Sequence, residues 1–194
     1  MDQRPAGSGS AVTSIRGRLL DLSNEIAVRD RSLASHLHAV YADSRDDAVD
    51  RVERFEFTST GPDEFVVTRD GEKIASATTA GRALGTLHWH LNRRIVATSR
   101  QPVLVHAGAV DVAGSAVLVV GASGAGKTTA TTALAMAGLG YLTDDITAIQ
   151  SDGRVTGAAK PIGLRAPSID LLGLTGDRLQ SPPADYLPGD GAQH

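Results

Sequence analysis

The sequence predicts an α/β protein with two parts, a small α+β N-terminal domain followed by a P-loop nucleotide-binding domain. Three features of the 194-residue chain carry this prediction. A glycine-rich motif at 121–129 lies between an apolar run and a helix-like segment, turn dipeptides separate strand-like segments within 52–78, and residues 80–99 have helical amphipathicity. A break at Gln101-Pro102 separates the α+β domain (13–101) from the nucleotide-binding domain (102–194), and the Gly-, Ser- and Pro-rich residues 1–12 predict a disordered lead-in.

The composition argues against nucleic-acid binding, membrane insertion and cysteine chemistry. An apolar fraction of 41% and a net charge of -3 are typical of a soluble globular protein, and no basic excess indicates a nucleic-acid partner. No apolar run approaches the roughly 18 residues of a spanning helix, and the N-terminus has no signal-like apolar segment. We therefore expect a cytoplasmic protein with no membrane partner. The absence of cysteine excludes disulfides, thiolate metal sites and cysteine nucleophiles.

The secondary structure at the start of the α+β domain is ambiguous from the sequence. Imperfect alternation over 14–28 predicts one or two strands with a turn near Ser23-Asn24, although a helix from Ile15 fits almost as well. Next, Asp30 and Ser32 can cap a helix that runs to about residue 42.

A small antiparallel meander follows. Segments 52–59, 64–68 and 72–78 are strand-like, and the cluster 60–63 and the dipeptide Asp70-Gly71 supply the turns. One face of such a meander is exposed to solvent, so the other face should pack on a helix.

That helix is predicted at 80–99. Its apolar face is formed by residues at helical spacing, namely Leu84, Leu87, Leu91, Ile95 and Val96. The only tryptophan, Trp89, is expected to fill the contact between the two domains. Two pairs of histidines, each two residues apart, point to different faces and predict no shared metal; their roles stay open, and they are His36, His38, His88 and His90.

The glycine-rich motif fits G-x-x-x-x-G-K-[ST] and predicts a site for a nucleoside triphosphate and Mg²⁺. We predict that 103–110 is a strand, that 116–120 is a buried parallel strand, and that a helix follows the motif. Glycines let the backbone N–H groups of the loop turn toward phosphates, and the helix N-terminus adds its partial positive charge. The lysine, expected on an exposed loop, reaches the phosphates as a point charge. The predicted contacts are Gly121, Ala122, Ser123, Gly124, Ala125, Gly126, Lys127, Thr128 and Thr129.

An acidic pair lies one helix further along. Asp144 and Asp145 interrupt an apolar segment at 141–149, predicted as a strand. If that strand ends at the pair, one carboxylate can face Mg²⁺ and the other an acceptor hydroxyl. His106, at 103–110, would orient a carboxylate if its strand neighbours the one before the loop, and would otherwise be a core residue. Beyond these strands we predict only a turn at Asp152-Gly153, a helical turn at 169–174 and a Pro/Gly-rich tail.

Residues 103–164, with the histidine, the loop motif and the Asp-Asp pair in this order, resemble the C-terminal domain of HPr kinase/phosphorylase and its relatives, including serine kinases encoded with lasso-peptide clusters. The resemblance implies the fold shared with PEP carboxykinase. It also implies that Lys127 and Thr128 contact phosphate and Mg²⁺, that Asp144 is the base for a serine hydroxyl, that Asp145 is the metal partner and that His106 is auxiliary.

The resemblance has limits. Lys160-Pro161 and Leu164-Arg165 are similar to the kinases of peptide or unknown substrate, and the glutamate-bearing arginine-glycine motif of HPr kinases is missing. Phosphorylase activity, a protein substrate and hexameric assembly therefore do not follow. The chain also ends soon after Arg165, which leaves a truncated or degenerate family member open.

Two hypotheses on function follow. The first is an ATP- and Mg²⁺-dependent serine kinase-like enzyme that acts on a peptide, a protein or a small hydroxyl compound. The second is a non-catalytic or regulatory ATP-binding module. The oligomeric state, including a homo-oligomer, is left open.

Overall fold

The computed structural model describes residues 12–29, 34–35, 37–38, 41–49, 51–61, 64–158, 160 and 162–175. The described part is mixed α/β, as predicted, with one five-stranded sheet, two three-stranded sheets and helices. The strands are β1 (Thr13–Leu19), β2 (Leu22–Val28), β3 (Glu53–Gly61), β4 (Glu64–Arg69), β5 (Glu72–Ala77), β6 (Val103–His106), β7 (Gly108–Val112), β8 (Ser115–Val119), β9 (Gly140–Thr143), β10 (Ile146–Ile149) and β11 (Val155–Gly157). The helices are α1 (Ala80–Thr98), α2 (Lys127–Met136) and α3 (Ala166–Leu171), with a 3-10 turn at Ala42–Ser44.

The five-stranded sheet has the order β1-β2-β3-β4-β5, in which only β2 and β3 are parallel. The predicted meander is confirmed as β3, β4 and β5. Arg69 pairs with Glu72, so Asp70-Gly71 form a two-residue loop, and their φ angles of 51° and 85° are those that a tight hairpin loop requires.

The first hairpin corrects one prediction. Two strands form, so the helix from Ile15 is wrong, but the turn lies at Leu20-Asp21 and not near Ser23-Asn24. Leu19 pairs with Leu22 and both are buried, which fixes the register. Burial of these two leucines outweighs the turn preference of Asn24, which lies buried inside β2.

The helix predicted after Asp30 can be followed only in part. Residues 34–35 and 37–38 are helical, and Ala34 and Leu37 are buried in the core. Tyr41 and Ala42, at the end of the predicted helix, lie in a turn and at the start of the 3-10 turn. Residues 30–33, 36, 39 and 40, with the predicted cap and His36, lie outside the described residues, as do the lead-in 1–11 and the tail from 176.

Helix α1 packs on the sheet and forms one core with it. Thr79 caps the helix by accepting a hydrogen bond from the backbone N–H of Arg82 at 3.4 Å. Four predicted apolar positions, Leu84, Leu87, Leu91 and Ile95, are buried, whereas the fifth, Val96, is 57% exposed. Val96 follows Ile95 directly and is therefore turned about 100° away from the buried stripe. Within the described residues, no helix combines the length and apolarity needed to cross a membrane.

The second part of the chain contains two strand breaks. The predicted strand 103–110 is interrupted at Ala107, so that β6 pairs with β10 while β7 pairs with β8 and β9. The predicted strand 141–149 is likewise interrupted at Asp144-Asp145, between β9 and β10. The Ala107 N–H donates to the Asp145 carbonyl at 3.0 Å, so the two breaks lie side by side where the chain passes between the small sheets.

The strand before the glycine-rich motif differs from its prediction. β8 pairs antiparallel with β7 and is an edge strand, so the predicted buried parallel strand is wrong. Val117 is 46% exposed and Val120 is 67% exposed. The apolar run of 116–120 does not distinguish a central parallel strand from an edge strand, because both are rich in β-branched residues.

Candidate functional site

A cavity of about 330 Å³ lies between α1, the start of α2, the break between β9 and β10, and the segment that leads into α3. Charged and polar side chains from all four regions face it, including Asn92, Lys127, Asp144, Asp145 and Lys160. Residues far apart in the sequence therefore converge on one volume.

The glycine loop, residues 121–126, forms one wall of this cavity. Gly124 and Gly126 have φ angles of 78° and 88°, a region that other residues adopt at a cost. Lys127 opens α2, and its ammonium donates to the carbonyls of Gly121 and Ala122 at 3.0 and 3.1 Å. Contrary to the expected exposed lysine, Lys127 is only 7% exposed, because its side chain folds back under the loop.

The helix behind the loop is pressed against β7. A Cβ atom added at Gly108 would lie 1.9 Å from the Thr131 hydroxyl oxygen, so a larger residue would force Thr131 or the backbone to move. This close approach fixes the position of α2, and with it Lys127 and Thr128, relative to the small sheet.

Asp144 is the buried member of the acidic pair. It follows β9 directly, is 6% exposed, and accepts a hydrogen bond from the Tyr141 hydroxyl at 3.1 Å. Burial raises the pKa of its carboxyl above the usual value. The ammonium of Lys160 and the hydroxyls of Tyr141 and Thr128 oppose this rise. Asp144 and Thr128, at the start of α2, thus face the same cavity.

Asp145 faces a different set of partners. Its Oδ1 lies 2.6 Å from Nδ1 of His106, and its Oδ2 contacts Nζ of Lys160 and accepts a hydrogen bond from the Asn92 amide at 3.2 Å. Burial disfavours ionisation of this carboxyl, yet Lys160 and His106 outweigh it and hold the pKa of Asp145 below its usual value. The two neighbouring aspartates thus have opposite pKa shifts, since adjacent residues face different surroundings.

Two further groups of side chains line the cavity. Ser168 of α3 is hydrogen bonded to Thr129 of α2, with 2.8 Å between the hydroxyl oxygens. Helix α1 contributes Trp89 and Asn92. Arg93 lies over the Trp89 ring, with its Cζ 4.7 Å from the ring centroid.

Most predicted site residues meet at the cavity. Its lining includes His106, both aspartates and, from the motif, Ser123, Gly124, Gly126, Lys127, Thr128 and Thr129, but not Gly121, Ala122 or Ala125. His106 lines the cavity, but its strand β6 pairs with β10. The pairing of that strand with β8, the strand before the glycine loop, on which the predicted role of His106 depended, is therefore wrong.

Sequence reasoning missed four contributors to this site, Asn92, Tyr141, Lys160 and Ser168. Lys160 carried the clearest signal, because it is one of only three lysines in a chain with many arginines. The contact between Asn92 and Asp145 joins residues 53 positions apart, and no local pattern encodes it.

Comparison with models of protein families, with curated proteins and with solved structures gives no match for this chain.

Proposed function

We propose that this protein binds ATP with Mg²⁺ in the cavity and transfers the γ-phosphoryl group to a hydroxyl acceptor. One observation carries the proposal: Lys127 and Thr128, at the start of a helix behind a glycine loop, share a cavity with two aspartates of opposite pKa shift. Phosphoryl transfer requires both halves, a cationic cradle for the phosphates and carboxylates near the transferred group.

The residues present fit a nucleotide. Positive φ angles at Gly124 and Gly126 let backbone N–H groups of the loop turn toward an anion, and the N-terminus of α2 adds its partial positive charge. Lys127 already lies under the loop, where it can exchange its two carbonyl partners for phosphate oxygens. The volume of about 330 Å³ is within the range of about 300–1,000 Å³ that small-molecule pockets occupy.

Thr128 and Asp144 fit the magnesium side of the site. Mg²⁺ is usually held by one or two carboxylates together with phosphates and water, so it does not need a dedicated cluster of protein ligands. Among the described residues, no group of three or more His, Asp or Glu side chains is arranged to hold a metal. When bound, the ion neutralises charge on the phosphates. We therefore assign Asp144 to the metal, although the resemblance implied Asp145, because Asp144 shares the cavity with Thr128 while both oxygens of Asp145 are held by His106 and Lys160.

Asp145 and His106 fit the acceptor side. With its Nδ1 bonded to the carboxylate, the imidazole is oriented so that Nε2 can accept a proton. The His106 side chain is 63% exposed, so a substrate hydroxyl can reach it. In the proposed step the acceptor oxygen bonds to the γ-phosphorus, ADP leaves, and the hydroxyl proton passes to Nε2. Such a reaction uses cytoplasmic ATP, so the proposal includes a cytoplasmic location.

The contact between Lys160 and Asp145 favours a second candidate, a regulatory ATP-binding module. An ammonium on Asp145 neutralises the carboxylate that the acceptor side needs. If Lys160 stays there when ATP is bound, the protein holds the nucleotide without transferring phosphate.

One experiment separates these candidates. Wild type, Asp145→Asn and the exposed control Asp152→Asn are incubated with γ-labelled ATP, Mg²⁺, short serine peptides and small alcohols. We expect transfer by wild type and control, and a rate about 100-fold lower for Asp145→Asn with ATP still bound. ATP binding without transfer by wild type would favour the module, and absence of ATP binding would contradict both candidates.

A further inference from the structure

We infer that one face of α1, formed by Gly85, Trp89 and Asn92, is the acceptor subsite, with the Trp89 indole as the platform for the apolar group beside the reacting hydroxyl. We call these three residues the α1 stripe. The inference rests on the proposed function and adds to it the element that selects the substrate.

The α1 stripe is a continuous face of the helix that lines the cavity. Its members are four and three residues apart, which places them on one side of a helix. All three line the same cavity as Lys127 and Asp145. Gly85 contributes no side chain, so the exposed surface of the stripe is made by an indole and an amide.

The position of the α1 stripe at the reacting end follows from Asn92. Its amide donates to Oδ2 of Asp145 at 3.2 Å, so the stripe meets the carboxylate that we assign to the acceptor side. Trp89 is three residues earlier on α1, about one helical turn from this contact. A hydroxyl group next to Asp145 therefore has the Trp89 indole within reach of its neighbouring atoms.

The nucleoside is expected beside α2 and α3. Lys127 and Thr128 suit the β- and γ-phosphates, and the γ-phosphoryl group must face Asp144 and Asp145 for transfer. We place the rest of the nucleotide on the side of Thr129, which follows Thr128 on α2 and is hydrogen bonded to Ser168. This arrangement leaves the α1 stripe for the acceptor.

Trp89 is suited to an apolar or aromatic group. It is half-buried, Arg93 lies over its ring, and His90 contacts it edge-on with ring centroids 4.8 Å apart. These contacts orient the indole, and a large oriented ring gains contact area at low entropic cost. The shared chemistry is a hydroxyl flanked by an apolar group, which a serine peptide or a small alcohol can supply.

The test uses Trp89 as its own reporter, because it is the only tryptophan. Quenching of its fluorescence by acrylamide is measured with and without a saturating, non-hydrolysable ATP analogue and Mg²⁺. We expect the nucleotide to leave quenching unchanged. Shielding of Trp89 by the nucleotide would overturn the inference while supporting nucleotide binding, whereas failure of the analogue to bind would sink the proposed function and the inference with it.

A second experiment measures which acceptors the protein prefers. Wild type, Trp89→Phe, Trp89→Ala and the control Val96→Ala, which changes an exposed position of the same helix, are compared on serine peptides with randomised neighbours and on small alcohols with and without an apolar group. Wild type and control should prefer apolar neighbours. Trp89→Ala should lose this preference by about tenfold, equivalent to about 1.4 kcal/mol, with nucleotide affinity unchanged, and Trp89→Phe should retain part of it. Identical selection by Trp89→Ala and wild type, or no preference in wild type, would overturn the inference.

Discussion

Nδ1 of His106 lies 2.6 Å from Oδ1 of Asp145, at the point where two strand breaks lie side by side. His106 pairs with Ile146 in the β6–β10 ladder, so Asp145, which precedes Ile146, lies beside the histidine where the chain passes between the two small sheets. The same carboxylate holds Lys160 on its second oxygen. Asp145 is thus the centre of the polar network in the cavity.

Removal of Lys160 should destabilise the protein in a pH-dependent way. Lys160→Met leaves the largely buried Asp145 with fewer partners, and we expect a loss of about 1–3 kcal/mol in the free energy of unfolding at neutral pH. Because the pKa of Asp145 is lowered in the folded protein, this stabilisation is present above the unfolded pKa and disappears as pH falls through the folded pKa. Denaturant unfolding of the variant and of the exposed control Lys73→Met, from pH 3 to 7, measures both effects; equal losses in the two variants would contradict the assignment.

The two aspartates should respond differently to magnesium. Asp144→Asn removes a charge beside Thr128, so we expect the Mg²⁺ concentration for half-maximal phosphoryl transfer to rise at least about tenfold. Asp145→Asn should instead lower the rate at saturating Mg²⁺ and leave the magnesium requirement unchanged. Initial rates over a magnesium titration distinguish the two, and a reversal of the two patterns would restore the roles that the resemblance implied.

The ionised carboxylate of Asp144 should destabilise the metal-free protein at neutral pH. Burial raises the pKa of its carboxyl in the folded state, so the folded protein holds this proton more tightly than the unfolded chain. Stability from this group is therefore greatest at acid pH and falls as pH rises from the unfolded pKa through the folded pKa. With EDTA present, Asp144→Asn should be more stable than wild type at pH 7, and the difference should shrink toward pH 4. A variant less stable than wild type across this range would show that burial does not dominate.

Gly108 should not tolerate a methyl group. Gly108→Ala places Cβ 1.9 Å from the Thr131 hydroxyl oxygen, and overpacking of this kind costs about 1–3 kcal/mol. The Thr131 hydroxyl has no hydrogen-bond partner among the described residues, so Thr131→Ala alone should be nearly neutral and should partly rescue Gly108→Ala. Gly61→Ala is the control, since its added Cβ would meet only a side chain at 4.0 Å. A double variant as unstable as Gly108→Ala would place the strain elsewhere.

Local patterns predicted the elements that local physics determines. The hairpin at Asp70-Gly71 and the buried stripe of α1 follow from backbone preferences and helical spacing; the hairpin is confirmed, and so is the stripe apart from Val96. The turn predicted near Ser23-Asn24 lies at Leu20-Asp21, and the strand predicted to be parallel and buried is the edge strand β8, because pairing and burial decide both positions.

The candidate site was predictable to a similar extent. The loop motif, the acidic pair and His106 are visible in the sequence, and the structure brings them to one cavity. The partners of Asp145 were not predictable, since Asn92 and Lys160 reach it through tertiary packing. The break at Ala107 has no signal in the apolar segment 103–110, whereas a strand end at Asp144-Asp145 was among the possibilities that the acidic pair suggested.

Calorimetric titration with Mg²⁺ and ATP tests the central claim most directly. Lys127 makes the charge-assisted contacts at the glycine loop, so Lys127→Ala should bind ATP at least about tenfold more weakly than wild type, while the exposed control Lys73→Ala should bind as wild type does. Circular dichroism of the same samples checks that Lys127→Ala is folded. Wild type that binds no ATP, or a folded Lys127→Ala that binds it with unchanged affinity, would contradict the account.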